Sequence, residues 1–174
     1  MTTAMDTPGD LLAPGAYRLD PERSSIAFRT RHLFGLGAVH GRFGVTAGRV
    51  EITGSGAPRV TATAAAASFD TGLPKRDALI RDRRFLDAAA HPAIGFTATG
   101  LSRRADAWTL DGELTVRDVT RPVTVTLTSA EATPNGARVQ ATARVDRYAF
   151  GITAARGLAA RHLNLEFDAV IERD

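Results

Sequence analysis

The sequence predicts an all-β fold, a sandwich or a closed barrel, with one short helix inserted between strands. Three observations carry this reading. Apolar and polar residues alternate with period two, as where Trp108, Leu110, Gly112, Leu114 and Val116 oppose Thr109, Asp111, Glu113 and Thr115. Such alternation sends successive side chains to opposite faces of a sheet and favours antiparallel pairing. Turn residues punctuate the runs at Gly54-Ser55-Gly56, Ala105-Asp106 and Pro134-Asn135-Gly136. A single segment, TGLPKRDALIRDRRFLDAAAHP, combines strong helix formers with proline near both ends.

The elements follow in chain order. Residues 1–14 show no periodicity and are expected to be disordered or loosely ordered, leaving 15–174 as one domain. AYRLD is a short strand. In SSIAFRTRH, Ile26, Phe28, Thr30 and His32 share one face, and Ala27, Arg29 and Arg31 the other. Residues 39–45, residues 49–53, RVTATAAAASF and PAIGFTATGL are weaker strands. Helical turns are expected around residues 75–86, with Ala78, Leu79 and Leu86 facing inward and a stop before His91-Pro92. Clean alternation returns through Val123, Val125 and Leu127, then Val139, Ala141, Ala143 and Val145, then Leu163, Leu165, Phe167 and Ala169. YAFGITAARGLAARH, with little periodicity, is a loop. The total is about eight to ten strands, with no internal repeat.

The inward sets are unusually small. Ala62, Ala64, Ala66, Ala98, Gly100, Gly112, Ala141 and Ala143 stand among a few large residues. A solid core needs close-packed volume, so such a lining leaves space unless facing side chains fill it. This favours a barrel with a cavity.

Composition narrows the function classes. The 174 residues include no cysteine, which excludes disulfides, thiolate metal sites and a cysteine nucleophile. The net charge is +3, and Lys75 is the only lysine among 22 basic residues. The arginines are scattered or alternate with acids, with no basic run or aromatic ladder, so nucleic-acid binding is not expected. No apolar run approaches the roughly 20 residues that span a bilayer, and residues 1–20 do not read as a secretory signal. A cytoplasmic protein is the expectation.

The stretch GLGAVHG, residues 35–41, raises the question of a phosphate cradle or a metal site. A dinucleotide loop needs a helix after its glycines and an acid about 20 residues on. Here RFGVTAGRVEIT continues to alternate, and no acid lies between Ser55 and Phe69. His32 and His40 flank a turn with no carboxylate fixed near both by spacing, so no metal site is expected. No G-x-S-x-G elbow is present. The glycines read as hairpin and bend residues.

The order of several motifs resembles a known family. YRLDPERSSIAFRTRHL comes first, then VHGRF, SFDTGLPKRDALIRDRRFLDAAAHPAIGFTATGL, GELTVRDVTRPV and DRYAFGI. From Tyr17 to Arg173 this is similar to the YceI-like, polyisoprenoid-binding family. The resemblance implies an extended eight-stranded antiparallel lipocalin-like β-barrel over 15–174. It also implies non-catalytic binding, storage or transport of a long apolar lipid (a polyisoprenoid, an isoprenoid quinone or a fatty-acid amide), with no cofactor besides that lipid. Two departures stand out. Many members are exported, and many carry Ser-Asp after the arginine of a late R-S-D-F-G element, which here reads Arg147-Tyr148-Ala149-Phe150-Gly151.

Strands of about nine residues tilted about 40° give a barrel roughly 23 Å tall, which matches an extended chain of about 18 carbons. At about 0.3 kcal/mol per heavy atom, 20 carbons contribute about 6 kcal/mol, an affinity between millimolar and micromolar. The ligand-binding candidates are Ile26, Phe28, His32, Phe43, Phe96, Trp108, Leu110, Leu114, Val125, Leu127, Val145, Phe150, Leu165 and Phe167. His32 is also the candidate polar contact to a lipid head. Arg76, Arg81, Arg83 and Arg84 read as a solvated face rather than a phosphate site. Two other functions stay open: an enzyme acting on such a lipid with His32 as acid or base, and a filled barrel used for protein contact. A homodimer through strand edges or loops is compatible with either.

Overall fold

The computed structural model describes residues 10–32, 37–55 and 57–174, the side chain of His32 excepted. The strands are β1 (Gly15–Leu19), β2 (Ser25–His32), β3 (Gly37–Phe43), β4 (Val45–Ile52), β5 (Pro58–Ala65), β6 (Ala93–Thr99), β7 (Ser102–Arg104), β8 (Ala107–Val116), β9 (Val119–Thr133), β10 (Gly136–Asp146) and β11 (His162–Arg173). Among the described residues one α-helix, α1 (Pro74–Arg81), lies between β5 and β6.

These segments build eight wall strands. β11 pairs with β1 through Ile171–Arg173 and with β2 through Asn164–Asp168. β1 and β2 are therefore one strand interrupted at residues 20–24. β3 and β4 are likewise one strand kinked at Gly44, pairing in turn with β2 and β1. The ring then runs β4-β5-β6-β8-β9-β10-β11 and closes through β1, all antiparallel, with β7 a short annex on β8. The barrel expected from the sequence is present. The ring closes through β1 and β4, whereas the other edge of β3 is paired among the described residues only through the Arg42–Asp70 bridge.

Side chains hold both interruptions in place. The Ser24 hydroxyl accepts from the Val170 N–H at 3.0 Å. The Gly44 N–H donates to the Ser68 hydroxyl at 2.7 Å, and the Gly44 carbonyl accepts from the Ala65 N–H. β8 and β9 turn at Arg117-Asp118, both with positive φ, the conformation that suits the twist of a tight hairpin.

Each end of the barrel has its own apolar plug. At the far end Leu12, Tyr17, Ile52, Ala137 and Ile171 pack together. Of residues 1–14, positions 1–9 lie outside the described residues, and Leu12 is buried in this plug. At the helix end there are two groups, Phe85, Val116, Phe150 and Ile152, and Phe28, Val39 and Phe69. Ile80 and Leu86 touch both groups.

The helix is shorter and turned differently from the expected one. It stops at Arg81, and Asp82 is extended. The chain then folds back, with the Leu86 N–H donating to the Ile80 carbonyl and the Ala88 N–H to the Arg81 carbonyl. Ala78 and Leu79 are exposed, not inward. The buried residue is Asp77, whose carboxylate accepts from the Thr71 N–H at 3.0 Å and the Thr71 hydroxyl at 2.6 Å. Those hydrogen bonds draw the charged face of α1 inward and leave its leucine in water.

The described part of GLGAVHG lies in β3, where Gly41 stands opposite Phe28. A Cβ on Gly41 would lie 2.3 Å from Phe28 Cζ and 2.7 Å from the Asp70 carbonyl oxygen. The Phe28 ring, 1% exposed, fills that place and stacks on Phe69 at 5.1 Å. Gly41 is thus a site of close approach rather than a ligand loop. Gly41→Ala is expected to destabilise the protein by about 1–3 kcal/mol, the usual cost of overpacking. Urea denaturation measures this, and an unchanged midpoint would show that Phe28 and the 70s loop yield freely.

Candidate functional site: an apolar cavity with one basic end

The interior between the two plugs is not filled. A cavity of about 340 Å3 runs along the barrel axis, bordered by every wall strand and lined almost wholly by apolar side chains. Ala62, Ala64, Ala141 and Ala143 form part of the wall, where larger side chains would occupy the space. Of the other small residues, Ala66 and Ala98 are buried away from it. Gly112 is covered by Phe96, whose ring carbons would sit 2.7 and 2.8 Å from an added Cβ. Gly100 has φ +87° with open space around it, a turn residue. Phe96, Leu110, Leu114 and Phe167 point inward yet are only half-buried, since their free faces border the cavity instead of one another.

Eleven of the fourteen sequence candidates border this space: Ile26, Phe43, Phe96, Leu110, Leu114, Val125, Leu127, Val145, Phe150, Leu165 and Phe167. Phe28 shares their face but lies beyond them, in the plug under α1. Trp108 lies at the opposite end, paired with Leu127, with the Arg103 guanidinium 5.8 Å from its ring centre. Its indole N–H is buried without an acceptor among the described residues. The side chain of His32 lies outside the described residues.

The polar side chain that the sequence reading did not select is Arg147. It borders the cavity next to Phe150 and Ile152 and is 7% exposed. Its Nε donates to the Ala160 carbonyl at 2.7 Å, Nη1 to Ile152 at 2.8 Å and Nη2 to Ala159 at 3.1 Å. The guanidinium lies 5.6 Å from the Phe85 ring centre and 4.9 Å from that of Tyr148. Burial holds it below its ordinary value, although an arginine stays charged in any such setting. The neighbouring acid, Asp146, is committed elsewhere: it takes a two-pronged bond from Arg161 at 2.9 and 2.7 Å and accepts from the Tyr148 N–H at 3.0 Å. An arginine after a strand-final aspartate carries no sequence signal of burial. Only the loop at 151–160, folded back as carbonyl acceptors, makes one.

On the other side of that loop lies a groove of about 710 Å3 lined by Arg29, Arg31, Arg144, Arg161, His40 and His162, with Tyr148 and, among the described residues, no acid in its lining. Ala159 and Ala160, whose carbonyls hold Arg147, are part of its wall. No group of three or more metal-binding side chains occurs among the described residues.

The sequence matches the YceI-like domain family over residues 17–171. This chain belongs to the YceI-like family. It is 31% identical over 170 residues to a UPF0312 protein of Yersinia enterocolitica, covering 92% of this chain and 88% of that one. To the protein YceI of Escherichia coli O157:H7 it is 32% identical over 113 residues, 63% of this chain and 59% of that protein. Among solved structures, that of Burkholderia cenocepacia BcnA superposes with a TM-score of 0.76 at 17% identity, covering 88% of this chain and 98% of that one. A polyisoprenoid binding domain from Saccharophagus degradans, implicated in plant cell wall breakdown, superposes with a TM-score of 0.65 at 13% identity over 91% and 98% of the two chains. At these identities the likeness establishes the barrel.

In this YceI-like barrel the Asp146–Arg161 pair clamps the start of the loop to its end. The Arg161 hydrogen bonds hold the Asp146 carboxyl down to about 2, against burial, which raises it. A carboxyl depressed in the folded state stabilises it fully above the unfolded value near 3.9, and that contribution is lost as the pH falls toward 2. Asp146→Asn is therefore expected to be less stable than the parent at pH 6, with the gap shrinking between pH 4 and 2. Urea melts at pH 6 and pH 2.5 measure it; a gap of equal size at both would assign the difference to hydrogen-bond geometry alone.

Proposed function

We propose that the protein binds a long, apolar, chain-like molecule inside the barrel, for storage or transport and without catalysis. The cavity carries this reading: it lies within the roughly 300–1,000 Å3 of small-molecule sites and is a little over twice the 150 Å3 void that admits benzene. By that ratio it takes about a dozen carbons as it stands. Burial contributes about 0.8 kcal/mol per CH2, with no directional bond along the chain needed. The lining suits a polyisoprenoid tail, an isoprenoid quinone or a fatty-acid amide. The Saccharophagus degradans domain, named for polyisoprenoid binding, is a structural neighbour that supports the first of these.

Native mass spectrometry and solvent extraction of the purified protein test the proposal, with a co-purifying apolar molecule expected. Straight-chain alcohols give a second measure through displacement of a fluorescent fatty probe. Affinity should rise from C8 by up to about fourfold per CH2 and flatten near C12–C14, where the cavity fills. Ala141→Phe, which places a ring in the cavity, should weaken dodecanol by about tenfold while circular dichroism keeps the barrel signature. A lipid-free protein that refuses alcohols of every length would end the proposal.

A further inference from the structure

Among the described residues three large apolar side chains are exposed, Leu73, Leu79 and Leu158. Leu79 lies on α1 with Leu73 just before it, and Leu158 stands in the 151–160 loop. Ile80 of α1 and Ala154 and Ala159 of the loop pack on one apolar cluster, so all three leucines belong to the same end of the barrel. Cations accompany them. Residues 73–84 hold five, against Asp77 and Asp82; Asp77 is buried, whereas Lys75 and Arg83 stand in solvent. Residues 147–161 hold three arginines and no acid. Leu158 sits between Gly157 and Ala159, which line the basic groove, and so marks its rim. Two groove arginines have acids beside them, Arg161 with Asp146 at 2.7 Å and Arg29 with Glu166 at 3.8 Å. Four arginines and two histidines still outnumber those two carboxylates. Near the far plug the pattern differs: Arg49 and Arg18 both approach Asp174, at 2.9 and 3.9 Å.

We infer that the helix end of the barrel docks on a bilayer carrying anionic phospholipid. Leu158 and the leucines at α1 enter the boundary between head groups and acyl chains, and the groove takes lipid phosphates. A single exposed leucine needs no explanation. Apolar anchors beside a net positive surface are the two features that together hold a peripheral protein to such a membrane. Guanidinium groups suit the phosphates through paired N–H donors, and each cation near the surface contributes about fivefold in affinity, less as salt screens it. A small free anion would occupy the groove and leave the leucines in water, so the bilayer is the occupant that uses both. The inference goes beyond the lipid-binding reading: it names where the chain meets the source or destination of an apolar cargo, and it sets the plug made by α1 and the 151–160 loop against that membrane.

Co-flotation of the full chain with vesicles of phosphatidylcholine alone, and of phosphatidylcholine mixed with phosphatidylglycerol, tests this. Binding to the mixed vesicles is expected to be about tenfold tighter than to the neutral ones and to weaken as salt is raised. Leu158→Glu, at an exposed position, should lower it by about tenfold. Asn135→Glu adds the same charge in the turn beyond the far plug and should leave binding unchanged. Because the chain has no cysteine, Leu158→Cys and Asn135→Cys each accept a single nitrobenzoxadiazole label. Emission at position 158 should rise and shift to the blue on mixed vesicles, while at position 135 it stays as in buffer. Equal binding to both kinds of vesicle, binding to neither, or a label at 158 that remains in water overturns the inference. So does binding that inorganic phosphate abolishes at matched ionic strength while Leu158→Glu leaves it intact, as a groove for small anions or acidic proteins would behave. The cavity is tested separately: alcohols that bind a protein indifferent to vesicles remove the docking face and leave the lipid site standing. Vesicle binding by a protein that refuses every alcohol does the reverse.

Discussion

Everything in this protein follows from a closed ring of hydrogen-bonded strands whose bore is set by strand number, not by the volume of the side chains inside. In a helical or two-layer core, an undersized residue lets its neighbours move in, and the void closes at least partly. Eight antiparallel strands joined into a cylinder cannot draw inward without breaking backbone hydrogen bonds along a whole ladder. Alanines on β5 and β10 therefore translate into empty space, not into a thinner protein. The same constraint explains why the apolar clusters collect at the ends, where α1, the 82–91 turns and Leu12 are free to adjust.

The ring also divides the labour of polar and apolar groups. Outward-facing charges pair across strands, as in Arg138 with Asp168 at 2.8 and 2.6 Å and Arg104 with Asp111. Such exposed pairs each contribute little, but they fix no preference for what lies inside. The interior presents a wall that is almost wholly hydrocarbon.

Much of this was legible in the sequence. Period-two runs located the wall strands because each has one face on the cavity and one on solvent. The small residues of the inward sets pointed to unfilled space. What could not be read was position along the axis. Phe28 lies on the same face as Ile26 but two residues further up, which moves it from the cavity into the plug beneath α1. Trp108 is displaced to the other end in the same way. Period two reports which way a side chain points, not what its strand neighbours have already filled. The orientation of α1 was hidden for another reason: Asp77 is drawn in by Thr71, six residues away, and leaves Leu79 outside. Arg147 is buried only because a loop without periodicity wraps round it.

The near-exclusive use of arginine has a practical side. Lys75, exposed on α1, is the only lysine in the sequence, and Trp108, near the far plug, is the only tryptophan. Amine-directed chemistry on the side chains therefore marks the helix cap alone, and indole emission reports from the opposite end. The two residues bracket the cavity as an acceptor position and a native donor for energy transfer, so its filling can be followed spectroscopically without altering a wall residue.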